Sequence, residues 1–275
     1  MYTYSLSRLA QQKTGRGSIT LPPIQDNKGA QTEYLRALRA MLRSLAATVR
    51  SDVLPAAEAE IARQRSAMTQ DALGEFVFEG LKQLAVRLGV IAEGMVGRIL
   101  RLETERHTKK WLASVRSTIG IDLAAVVSQE DLAEYLTTAA ARNASLIKSL
   151  GDDAVKRVEQ ATYQAILQGQ TAAQLRKRMT EEFGVLDSRA KLIARDQVSK
   201  LTSDLNRRRH EQAGVTSYVW MSSRDERVRE RHRALDGKEY KYGEPTGAEQ
   251  GLPPGQPIQC RCVARGIVVI DGERF

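Results

Sequence analysis

Gly214-Val215-Thr216-Ser217-Tyr218-Val219-Trp220-Met221 is the point at which the sequence changes period. Before Gly214 apolar residues recur every three or four positions, as one face of a helix requires. After it they are β-branched and aromatic, as a packed strand requires. Val263 to Ile270 has the same character, so the two segments are expected to pair as strands. Between them lie a short helix from Asp225 to Leu235, a turn at Gly237, and a loop carrying Pro245, Gly247, Gly251, Pro253, Pro254 and Gly255. The expected fold is mainly α: an elongated helical body with a small α+β C-terminal domain over 187–275, two paired strands around a short helix and a Pro/Gly loop.

Working back from Gly214, Asp187 is expected to cap a helix that ends there. Thr171-Ala172-Ala173-Gln174 reads as a capping box opening a shorter helix that stops before Gly184. Asp152 or Asp153 opens a helix ending near Gly169, and Ser128-Gln129-Glu130-Asp131 opens another ending at Gly151. Short, capped connections among these helices predict a compact bundle. From about Asp52 to Ile119 a helical tract carries an apolar stripe, Val77, Leu81, Leu84, Leu88, Ile91, Met95, Ile99 and Leu102, suited to a core or an oligomer contact. Its glycines predict two or three helices, or one helix that admits close neighbours. From Gln31, Leu35, Leu38, Leu42, Leu45 and Val49 share one face, with Arg36, Arg39, Arg43 and Arg50 mostly off it. This is an amphipathic basic helix at the start of a helical domain spanning 31–186. Residues 1–30, with Pro22-Pro23 and scattered glycines, read as an extended basic arm that becomes ordered on a partner.

Composition narrows the classes. Aromatics are only 5% of the 275 residues, which suits long helices packed through small side chains. The net charge is +9, and residues 1–51 hold eight basic against two acidic residues. Such an arm fits nucleic acid, the negative surface of another protein, or a solubilising tail. No apolar run is long enough to span a bilayer and the N-terminus lacks the regions of a signal peptide, so no membrane role and synthesis in the cytoplasm are expected. The two cysteines, Cys260 and Cys262, are separated by one residue and form no disulfide framework; they read as reduced thiols or metal ligands.

Rare residue types concentrate between Trp220 and Cys262. Together with Ala194-Arg195-Asp196, Asn206 and Tyr218, the series Trp220, Asp225, Arg227, Arg229, His232, Leu235, Gly237, Pro253-Pro254-Gly255 and Cys260-Arg261-Cys262 resembles the C-terminal domain of the phage Mu F-like minor head proteins, also called phage head morphogenesis proteins. The resemblance covers about ninety residues in order and spacing. It implies a virion protein acting in procapsid assembly, bound to the portal protein, with major capsid or scaffolding protein as further partners. Many members carry a Cys-x-x-Cys pair where this chain has Arg229 and His232.

That departure leaves His232, Cys260 and Cys262 as an incomplete zinc set needing a fourth ligand such as Asp225 or water. The competing reading, preferred on the sequence, is a structural cluster without a cofactor. In it Asp225 pairs with Arg227, Arg229 or Arg261 and caps the short helix, while the thiols pack as small buried side chains. Catalysis by Asp225, His232 and Cys260 lacks the phosphate loop or carboxylate pair that would complete a geometric set, so a non-enzymatic role is expected. DNA is the alternative partner, through Arg36, Arg39, Arg43, Arg207, Arg208 and Arg209. Residues 205–233, with eight Arg against four acids, dilute that reading.

Overall fold

The computed structural model describes residues 3–11, 17–66, 75–127 and 132–270. The protein is mostly helical, 70%, with a small antiparallel sheet of four strands. In chain order the elements are α1 (Leu6–Gln11), β1 (Gly17–Thr20), α2 (Lys28–Thr48), α3 (Leu54–Ser66), α4 (Glu75–Ile119), α5 (Ala124–Val127), α6 (Ala133–Leu167), α7 (Ala172–Gln212), β2 (Ser217–Met221), α8 (Glu230–Arg233), β3 (Glu239–Lys241) and β4 (Val263–Ile270). They form two compact units. One is drawn from Met1–Ala30, Leu100–Thr137 and Arg195–Phe275, the other from Gln31–Ile99 and Thr138–Ala194.

The second unit is all helical. A π-helical turn, Val49–Val53, joins α2 to α3. Pro55 follows it and has no N–H to return to the preceding turn, which a widened turn accommodates. Tyr34, Leu38, Leu45, Ile147, Leu150 and Leu186 are buried, and the Tyr34 hydroxyl donates to Asn143 Oδ1 at 2.5 Å. Four expected short helices are two long ones, because α6 runs through Gly151 and α7 through both Gly184 and Asp187. A single glycine costs about 1 kcal/mol in a helix interior, less than the packing of the flanking apolar face returns. Asp187 is not a cap: its carboxylate receives Arg39 Nε and Nη2 at 2.6 and 3.0 Å and Lys191 Nζ at 2.9 Å. Arg39 holds the Asp187 carboxyl down at about 2.

The buried side of α4 includes Leu81, Ala85, Ala92 and Val96, whereas Ile91, Met95 and Leu102 of the expected stripe are exposed. Small residues let neighbouring backbones approach, and hydropathy alone does not single them out. The side chain of Val77 and the Ser128-to-Asp131 box lie outside the described residues. The box at Thr171 forms as the sequence predicts: Gln174 N–H donates to Thr171 Oγ1 at 3.2 Å, and Thr171 N–H to Gln174 Oε1 at 2.7 Å.

In the first unit the sheet order is β1-β4-β2-β3, two strands more than expected. β3 pairs with β2, Tyr218 facing Tyr240, and β1 pairs with β4 from Gly17 facing Ile270 to Thr20 facing Ile267. The described part of residues 1–30 is therefore no free arm. Leu6, Ala10, Leu21 and Ile24 are buried with Trp111, Val115, Val268 and Ile270, and Tyr4 and Leu6 N–H donate to the carbonyls of Gln212 and Ala213. Pro22 and Pro23 follow the edge strand β1, just past the Leu21 N–H that donates to the Gly266 carbonyl, where no further ladder bond is needed.

Alternation along the strands puts Tyr218, Trp220, Ala264, Gly266, Val268 and Ile270 on one face. His210 of α7 meets that face at Gly266, where a Cβ would come within 2.9 Å of the imidazole Nε2. Its Nδ1 is 2.6 Å from the Tyr242 hydroxyl, and its ring lies 5.5 Å from that of Trp111. Nearby, Asn206 donates its amide to the Ile24 carbonyl at 3.1 Å, leaving Oδ1 as acceptor for His107 Nε2–H at 2.9 Å. His107 Nδ1 accepts from Arg209 at 3.1 Å.

Two predictions follow from these contacts. Thr171→Ala should lower the unfolding free energy by about 1 kcal/mol in urea titrations, the usual cost of an N-cap. The second concerns pH. Burial, then the Arg209 charge, hold His107 well below its ordinary value, and burial holds His210 at about 3. The unfolded chain binds these protons near pH 6.5 and the folded chain only at much lower pH, so stability is full above about pH 6.5 and is lost as the pH falls. Between about pH 6 and about pH 4 His210 should contribute a slope of about 1.4 kcal/mol per pH unit, and His107 acts in the same direction. Equal denaturation midpoints across that range would contradict the assignment.

Candidate functional site

The C-terminal half of α7 carries a polar stripe at helical spacing: Asp196, Ser199, Ser203, Asn206 and His210. Each member holds a different segment. Asp196 Oδ1 accepts the Gln259 N–H at 3.0 Å, Ser199 Oγ donates to Asp26 at 2.9 Å, and Ser203 Oγ donates to the Pro254 carbonyl at 2.7 Å. Asp204, beside the stripe, accepts Gln256 Nε2 at 2.5 Å. The loop from Pro253 to Gln259 is thus latched to α7 just before Cys260. Gly255 makes the close approach: its φ is +87° and a Cβ would sit 2.7 Å from the Ser203 Cβ. Gly255→Ala should therefore destabilise the protein by about 1–3 kcal/mol. A thermal midpoint unchanged by that substitution would show that the latch does not constrain the loop.

Latching this loop delivers the cysteines to α8. His232, Cys260 and Cys262 are all buried, and their ligand atoms lie within 4.8 Å of one another. His232 Nδ1 is 3.5 Å from Cys260 Sγ and 3.6 Å from Cys262 Sγ. Its other nitrogen, Nε2, is 2.6 Å from Glu249 Oε2. A carboxylate only accepts, so Nε2 carries the proton and Nδ1 presents a lone pair to the sulfurs. Trp220 stands edge-on to the imidazole at 5.4 Å. The Cys260 thiol is held below the usual thiol range by a hydrogen bond from Cys262, with burial opposing and the Gly255 N–H assisting; Cys262 is pushed up, since the pair shares a proton. At Glu249 burial opposes ionisation, but the hydrogen bond from His232 and the Arg229 charge hold the carboxyl below its ordinary range.

The remaining motif residues brace this cluster. Asp225 forms a two-pronged ion pair with Arg261, with Nη2 to Oδ1 at 2.6 Å, and Oδ1 also accepts the Arg227 N–H at 3.1 Å. Of the three expected partners for the Asp225 carboxylate, Arg261 takes its side chain. Arg229 Nη2 donates to the Ile258 carbonyl at 2.6 Å, and Nε lies 3.5 Å from Glu249. The Gly237 N–H donates to the Trp220 carbonyl at 2.8 Å, and Pro254 is buried. The helix expected from Asp225 to Leu235 is regular only over Glu230–Arg233, because the Asp225 side chain holds the preceding residues in a turn.

Of the expected nucleic-acid contacts only Arg209 is drawn fully inward, while Arg36, Arg43 and Arg207 are exposed. Arg209 is buried against His107 and Thr108, Arg208 lies 4.7 Å over the Tyr135 ring, and Arg207 pairs with Glu211 at 2.8 Å. Arg209 is thereby removed from any phosphate-binding face. On α2, Arg36 pairs with Glu33 at 2.5 Å and Arg39 with Asp187, while Arg43 is exposed.

Residues 156–265 match the family described as Phage Mu protein F like protein. These residues are a phage Mu protein F-like domain. The Mu F-like domain runs from within α6 through the polar stripe of α7, the latched loop and the His232 cluster into β4. An uncharacterized protein of Haemophilus influenzae is 34% identical over 184 residues, covering 66% of this chain and 39% of that protein. The chain thus spans about two fifths of the curated relative it matches. No solved structure matches. The family is generally one of structural phage head proteins.

Glu249, Ser203 and His107 carry no motif that the sequence singles out. The stripe from Asp196 to His210 carries a readable signal in its spacing, whereas Glu249 sits in an irregular loop and carries none.

Proposed function

We propose that the protein is a non-enzymatic minor head component of a tailed phage, acting inside the procapsid during head assembly and bound to the portal protein. The Mu F-like domain carries this reading. Its motif residues act as latches rather than as an open reactive set. Asp225 faces Arg261 while His232 faces Glu249 and the thiols, so the expected trio of Asp225, His232 and Cys260 does not converge on one point. Major capsid or scaffolding protein would be neighbours in the same compartment. Among the described residues no helix is long and apolar enough to cross a membrane. An exposed aliphatic row on α4, Val86, Val90, Ile91 and Met95, supports a protein partner, since such rows are commonly covered in an assembly. DNA is less well supported, because Arg209 is buried within the fold and Arg208 lies over the Tyr135 ring.

Co-expression with the portal protein of the same phage tests the reading. The full chain should co-purify with portal, and Val90→Asp combined with Ile91→Asp should reduce the yield of portal several-fold without changing the far-ultraviolet circular dichroism. Purification free of portal, together with DNA affinity that falls steeply with salt, would overturn it.

A further inference from the structure

The His232 cluster has the donor set, spacing and outer support of a metal site. Zinc bonds of about 2.05 Å to nitrogen and about 2.3 Å to sulfur, set at a tetrahedral angle, separate the two donors by about 3.5 Å. His232 Nδ1 lies 3.5 and 3.6 Å from the two sulfurs. A hydrogen bond explains one such distance, because Nδ1 has a single lone pair. Near-equal approach of two sulfurs to one lone pair is what a shared cation produces.

The surroundings point the same way. Glu249 accepts from Nε2 at 2.6 Å, the carboxylate-to-histidine arrangement that fixes the tautomer and raises the basicity of a metal-binding imidazole. The Trp220 indole N–H is buried without a hydrogen-bond partner among the described residues, in the same packed cluster as Cys262. A thiolate there is the acceptor it lacks. Arg195, Arg227, Arg229 and Arg261 line an adjoining cavity of 170 Å³ together with His232 and both cysteines.

We propose that His232 Nδ1, Cys260 Sγ and Cys262 Sγ bind one zinc ion, with Glu249 orienting the histidine and the fourth position opening on the arginine-lined cavity. Asp225 does not fill that position, because Arg261 holds both of its oxygens. Water or a small anion does. Two thiolates, a neutral imidazole and a divalent cation sum to zero charge, which makes the buried cluster self-compensating. The ion ties α8 to the start of β4 and closes the loop between them. This restrains a small unit in which both cysteines belong to the buried cluster around Trp220.

The test uses the full chain purified under reducing conditions without chelator. Elemental analysis should find about one zinc per chain, as one tetrahedral site requires. Exchange for cobalt should give a thiolate-to-cobalt charge-transfer band, which Cys262→Ser weakens. Since Cys262→Ser could unfold the unit, Glu249→Gln provides the second variant: its side chain lies at the surface and it is no ligand. That variant should fold normally and bind zinc about 10–100-fold more weakly in competition with a chromophoric chelator. Folded, reduced protein that holds no zinc and gives no cobalt band would overturn the proposal. So would a Glu249→Gln affinity equal to that of the unaltered chain. Neither result bears on portal binding, so this site and the assembly role stand or fall separately.

Discussion

The close approach of α7 to the sheet at Gly266 sets the geometry of everything around the Mu F-like motif. Only a residue without a side chain lets β4 come within reach of the His210 imidazole, and that ring in turn meets Trp111 and Tyr242. The contact fixes the height of β4 over the helix. With that height fixed, the stripe Asp196, Ser199, Ser203 and Asn206 faces the segments it must hold, each at hydrogen-bonding distance. Gly255 repeats the device one loop earlier, against Ser203. Two glycines and a row of short polar side chains thus bring these segments close to α7 and hold them there.

The arginines show how the same economy governs charge. A surplus of +9 suggests a protein that reaches outwards for an acidic partner. Several of these side chains reach inwards instead. Arg261 locks Asp225, Arg229 binds the Ile258 carbonyl, and Arg209 is buried against His107 and Thr108. Planar guanidinium suits this use because it satisfies two acceptors at once while its stem covers apolar surface. Arg207 and Arg208 spread over Tyr242 and Tyr135 in the same way.

The N-terminal segment was the hardest part to read, for a physical reason. A strand of Gly17–Thr20 and a six-residue helix have almost no local preference for either state. Their order comes from pairing with β4, some 250 residues away, and from burying Leu6, Leu21 and Ile24 beside Trp111. No window of sequence contains both partners. The long helices posed the opposite problem. Gly151, Gly184 and Asp187 are genuine local stop signals, and the chain overrides them because burial along α6 and α7 outweighs their cost.

By itself, the sequence determined the helical class, the capping box at Thr171, the pairing of the strands around Trp220 and Ile270, and the membership of the cluster from Asp225 to Cys262, because each of these is written in local period or in the order of unusual residue types. Only the tertiary structure decided which arginine Asp225 takes, that Glu249 stands behind His232, and that both sulfurs face one imidazole nitrogen. Those facts depend on where α7 pins a loop of irregular backbone, and irregular backbone has no period from which to read its direction.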